Sequence, residues 1–117
     1  MAATIKTEDG VIIIENEVIA RIAGQAAMEC YGIVGMAAKN VKDGIFQLLK
    51  KESLTKGIKL SINENKINLE FHIIVEYGTN ISAIAENAIS AVKYKIEEYL
   101  GLRADQINIF VEGIRVE

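Results

Sequence analysis

From Ile67 to Tyr77 the chain alternates: Ile67, Leu69, Phe71, Ile73, Val75 and Tyr77 fall on one parity, with Asn68, Glu70, His72, Ile74 and Glu76 between them. A strand places successive side chains on opposite faces, so this period predicts one buried and one outward face. A second alternating run, Ile58, Leu60 and Ile62 with Lys59 and Ser61, precedes it. With Glu64-Asn65 as a two-residue turn, Ile62 faces Ile67, Leu60 faces Leu69 and Ile58 faces Phe71. Every apolar side chain then meets another on one face, and a one-residue slip would undo all of these pairs at once. The parity also predicts His72 outward and Tyr77 inward.

The rest of the chain has to cover that apolar face. Val11 to Ile14 reads as a short strand after Gly10. Asn16 can cap a helix in which Val18, Ile19, Ile22, Ala23, Ala26 and Cys30 recur at helical spacing. Its Ala and Gly residues allow close packing, an expected compensation for the helix-weakening Gly24. Gly32 is expected to end this helix, and Ile33 to Met36 to return as a strand. A second helix starts near Asn80 to Ser82, with Ile81, Ile84, Ala85, Ala88, Ile89, Val92, Ile96, Tyr99 and Leu100 on its apolar stripe. Gly101 suits the residue after its end. Gln106 to Val116 is the last strand, with Ile107, Ile109 and Val111 inward and a bulge at Gly113. The order is strand, helix, strand, variable segment, hairpin, helix, strand. The expected fold is an α+β two-layer sandwich, a mixed sheet of about five strands with two main helices on one face. With no proline or low-complexity tract to mark a boundary, residues 1–117 read as one domain.

Composition narrows the functions. The net charge is −3, and seven residues are aromatic (four Tyr, three Phe) with no Trp, which supplies neither a basic surface nor base-stacking platforms. The single cysteine, Cys30, excludes an intrachain disulfide, suits a reducing compartment and reads as a packed core thiol. Met1 to Gly10 lacks the pattern of a secretion signal, and no apolar run is long enough to span a bilayer. A cytoplasmic protein is expected, with any membrane contact peripheral.

Several features resemble chemistry. His72 stands beside Glu70 and near Glu76, but neighbours on one strand face are about 7 Å apart, and no second His completes a metal set. It reads as a solvated surface histidine. Gly78-Thr79-Asn80 could offer N–H groups to an anion at a helix start, but capping explains all three residues and no phosphate-loop fingerprint is present. Gly32-Ile33-Val34-Gly35 matches the Gly-x-x-Gly spacing of a nucleotide-clamping loop, with apolar residues where such loops carry polar ones. No cofactor or metal site and no catalytic constellation is expected.

Interaction surfaces are better supplied. Val41, Ile45, Leu48 and Leu49 are spaced for one helix face, and Lys39, Lys42, Lys50, Lys51 and Lys56 concentrate positive charge around them. This segment reads either as a flap or short helix over the sheet edge or as a docking element for a partner or anionic membrane surface. On the outward sheet face, Ile74 and Phe110 point away from the core among Glu70, Asn108 and Glu112. Neighbouring strands could join them into a patch supporting self-association. The expected partner-binding residues are Ile74, Phe110, Val41, Ile45, Leu48, Lys50 and Lys51.

Three segments, "GVIIIENEVIARIAGQAAMECYGIVGM" from Gly10 to Met36, "KGIKLSINENKINLEFHIIVEYGTNI" from Lys56 to Ile81 and "INIFVEGIRV" from Ile107 to Val116, together resemble one family. It is the alkaline-shock, or Gls-like, general stress family found chiefly in Gram-positive bacteria. Tyr31 and Ser82 stand where many members have proline, and both suit a helix boundary. The resemblance implies a non-enzymatic cytoplasmic protein of cell-envelope and stress homeostasis. It also implies association with itself as a homo-oligomer, or with a small membrane-anchoring protein that would hold it at the inner face of the membrane. A small RNA-binding module using the Gly32–Gly35 loop and the middle lysines is the alternative from another class. A weaker one is an anion- or metabolite-binding accessory using the turn at Gly78.

Overall fold

A computed structural model describes residues 2–40, 45–48 and 57–116. The elements run β1 (Ala2–Thr7), β2 (Gly10–Glu15), α1 (Asn16–Met28), β3 (Ile33–Asn40), β4 (Ile45–Leu48), β5 (Ile58–Asn63), β6 (Lys66–Glu76), α2 (Ile81–Leu100) and β7 (Arg103–Arg115). The expected order is present, with β1 and β4 added to it.

β6 organises the five-stranded sheet. Its antiparallel hairpin with β5 has the register expected from the pattern, Ile62 opposite Ile67, Leu60 opposite Leu69 and Ile58 opposite Phe71. Glu64 and Asn65 both have positive φ, 52° and 62°, as a tight two-residue hairpin turn requires. Further along the same edge, β3 pairs antiparallel with Ile73 to Val75 of β6. The other edge of β6 pairs in parallel with β7 from Lys66 to Glu76. A parallel neighbour needs a crossover, and α2 is that crossover. β4 extends the sheet beyond β3, placing Asn40 opposite Ile45 and Ala37 opposite Leu48.

One face of β6 is completely covered. Ile67, Leu69, Phe71, Ile73 and Val75 pack with Ile84, Ala88, Val92 and Ile96 of α2 and with Ile19, Ala23, Ala26 and Ala27 of α1. The alanines of α1 let the two helices lie against each other over the sheet. Leu102, just past α2, is buried in the same core, and Gly101 ends the helix in the left-handed conformation.

Several expectations are corrected. Ala2–Thr7, to which the pattern assigned no element, forms β1, and it pairs with β2 in a separate two-stranded ribbon rather than in the main sheet. Asn65 pins it, accepting from the Thr4 N–H at 3.2 Å and donating to the Thr4 carbonyl at 2.6 Å. Asn16 does not cap α1. Glu15 occupies the cap without a side-chain bond, and the Asn16 Oδ1 is buried with no protein partner. The helix ends at Met28, so Gly32 lies in the turn beyond it. Val18 is exposed and Ala20, Ala27 and Gly24 are buried, which rotates the buried stripe from the one expected. On α2, Ile81 and Tyr99 are exposed. Tyr77 is exposed too, because β6 ends at Glu76 and alternation no longer governs the next residue.

Candidate functional site

The outward face of the sheet carries the most developed polar arrangement among the described residues. Parity puts Glu70, His72 and Ile74 of β6 on that face, and the parallel register sets Asn108 beside Glu70 and Phe110 beside His72. Between Ile73 and Ile74 the register shifts, so Val111 and Gly113 are the consecutive partners and Glu112 is left over. A bulge re-aims the extra side chain. Here it carries the Glu112 carboxylate to His72, with Oε2 3.0 Å from Nδ1. The other ring nitrogen, Nε2, lies 3.0 Å from Oε2 of Glu70.

His72 is therefore clamped between two carboxylates, its side chain only 18% exposed. Carboxylates only accept, so both bonds form at once only when both ring nitrogens carry protons. Phe110 stacks on the ring, 5.0 Å between centroids and 13° from parallel. Lys59 reaches Glu70 from β5 at 3.7 Å. Outward placement of His72 was correctly expected, but the solvated environment was not. The cause is the second neighbour on β7, whose pairing with β6 no local pattern reveals.

These groups bind one another, which argues against a reactive role. Among the described residues, no group of three or more His, Cys, Asp or Glu side chains could hold a metal ion. A groove of about 280 Å³ lies beside the clamp, lined by Lys59, Leu60, Ser61, Asn68, Leu69, Glu70 and Asn108, with no nucleophile paired to a base. Cys30 is buried, its thiol 3.5 Å from the Ala26 carbonyl. Burial, with the Glu29 charge adding, pushes that thiol above its ordinary range and makes it a poor nucleophile.

Phe110 remains 44% exposed despite its stack, and Ile74 is half-buried across from Gly113. The two expected residues thus share the outward face on neighbouring strands. Ile45 and Leu48 do not share a helix face. They lie in β4, because the backbone pairs with the end of β3, and apolar spacing over so short a segment fits either element. Val41, Lys50 and Lys51 lie outside the described residues.

The turns are structural. Asn80 caps α2 by accepting from the Ala83 N–H at 3.1 Å, and the Thr79 hydroxyl donates to the Glu76 carbonyl at 2.6 Å. Gly32 has φ +90° and lies so close to Ile84 that a Cβ would collide with it, while Gly35 sits inside β3 and Ile33 is buried. That segment is not the open loop a nucleotide-clamping role needs. The sequence reading passed over two other features. β7 has β6 on one side and no strand on the other among the described residues. Val11, Ile12 and Ile13 of β2 are all exposed, because the ribbon has no helix layer of its own.

Comparison with known proteins gives the family. Residues 4–116 match the profile of the alkaline-shock protein 23 family, described as having a cell envelope-related function. The chain belongs to that family. It is 46% identical to the uncharacterized protein YloU of Bacillus subtilis over 117 residues, covering 99% of this chain and 98% of that one. It is 38% identical to the uncharacterized protein Spy1614 of Streptococcus pyogenes, covering 99% and 97%. A stress response regulator gls24 homolog of Streptococcus pyogenes is 22% identical over 92% of this chain and 60% of its own length. No solved structure matches the chain. No described helix is long and apolar enough to cross a membrane.

Proposed function

We propose that this family member is a non-enzymatic scaffold of cell-envelope and stress homeostasis. It acts by associating with itself or by docking to a small membrane-anchored partner that holds it at the inner face of the membrane. The observation carrying this reading is the combination of an exposed Phe110 with a flank of β7 that no described strand pairs, on a face whose polar groups are already engaged with one another. Such a surface offers aromatic area and free backbone hydrogen-bonding groups to another protein. The family's cell envelope-related description supports the setting.

Light scattering of the full chain across micromolar concentrations, together with fractionation of cells expressing it at native level, tests the proposal. A mass above the monomer, or recovery with the envelope fraction, is expected. A strict monomer that stays wholly in the unsedimented fraction would overturn it.

A further inference from the structure

We propose that a second copy of this chain docks along the edge of β7 that no described strand pairs, antiparallel, about a two-fold axis through Phe110. This rests on the self-association reading above and names the surface that performs it.

β7 is thirteen residues long and contains neither lysine nor proline, two of the usual protections of an exposed edge. The argument for a second copy, and not an unrelated peptide, is that the strand complements itself. Its position along the sheet can be read from β6, which corrects for both bulges. Gln106 lies beside Asn68 and Arg115 beside Glu76, four residues before and four after His72, the neighbour of Phe110. A half-turn through Phe110 therefore sets Arg115 of each copy beside Gln106 of the other and next to its bulged Asp105. Two oppositely charged pairs close the two ends of the interface.

The interior of that register agrees. Asn108 and Gly113 flank the axis at equal distances, beside Glu70 and Ile74, so the Asn108 amide of each copy approaches Glu112 of the other. Ile109 and Val111, beside Phe71 and Ile73, meet on the helix-facing side. Val111 is 36% exposed in the single chain, so the pairing covers apolar surface that α2 leaves open. On the outward face the two Phe110 rings meet at the axis, each backed by its own stacked His72.

Registers shifted toward the start of β7 are poorer. An axis through Ile109 sets Arg103 against Arg115, five positions on either side, and places Phe110 opposite Asn108. An axis through Asn108 places Phe110 opposite Gln106 and carries Arg115 past the end of the other strand. A two-fold axis perpendicular to the sheet makes the contact isologous and closed.

Gln106→Cys, Asn108→Cys, Phe110→Cys and Glu112→Cys, each made together with Cys30→Ala so that only one thiol remains, oxidised mildly and resolved without reductant, read the register directly. Only residues on the axis have Cα atoms within disulfide reach of themselves. Phe110→Cys is expected to give the highest yield of cross-linked dimer. A higher yield at another position, or none at any while wild type sediments above the monomer, overturns this surface and leaves self-association standing. A wild-type monomer at every concentration removes both. Because Phe110→Cys deletes the ring, a second test uses charge. Asp105→Arg and Arg115→Asp are each expected to raise the dimer dissociation constant about ten-fold, and the double exchange to restore it. A double variant as weak as the single ones also overturns the register.

Discussion

The two faces of β6 are built from alternate residues of one strand, yet they answer to different demands. On the helix-facing side, Ile67, Leu69, Phe71, Ile73 and Val75 are almost completely shielded from water within one hydrophobic cluster. On the outward side, Glu70 and His72 satisfy their polar groups through Glu112, Lys59 and the Phe110 ring, and the surface stays partly open. The first face holds the domain together. The second is ordered but unfinished, which suits contact with another molecule.

Substitutions should separate these roles. Phe71→Ala removes a fully buried ring and leaves a cavity, so denaturation should show a loss of about 3–5 kcal/mol. A loss below about 1 kcal/mol would mean that the inner face is not the core described. Gly32→Ala should cost about 2–3 kcal/mol, because the added Cβ meets Ile84 at a positive φ that disfavours any side chain. Restoring stability with Ile84→Val alongside it would confirm the steric part of that cost.

On the outer face the effects shrink. His72→Gln removes the stack on Phe110 and leaves Glu70 and Glu112 near each other without the His72 ring between them, an expected loss of about 1–2 kcal/mol. An unchanged denaturation midpoint would show that the clamp contributes nothing to the fold. The smallest effect concerns Cys30. Its raised pKa leaves less thiolate at pH 8 than a free thiol has, and burial blocks access, so iodoacetamide should label native protein far more slowly than unfolded protein. Equal labelling rates would contradict the burial.

The same contrast explains what the sequence revealed. The inner face was legible because alternation and a two-residue turn must agree over several pairs, so the β5–β6 register could be written down residue by residue. The outward positions of His72, Ile74 and Phe110 followed from the same parity. The His72 clamp did not, because it depends on β7 lying parallel beside β6 and on a bulge that directs Glu112. β1 escaped notice because Ala2–Thr7 has only one large apolar residue, Ile5, and its place is set by a distant contact with Asn65. β4 looked helical because Ile45 and Leu48, taken with Val41 and Leu49, have helical spacing, a pattern too short to separate a helix from a strand. The alkaline-shock resemblance read from three segments agrees with a family match over residues 4–116.

The central claim is that the inner face of this sheet serves stability while the outer face and β7 edge serve association. Phe110→Glu tests it most directly when one preparation is measured by sedimentation and by chemical denaturation. The account predicts a shift to the monomer with a folding loss of no more than about 2 kcal/mol, because Phe110 is exposed and the substitution removes its stack on His72 rather than core packing. An unchanged assembly mass, or loss of mass only together with unfolding, would contradict it.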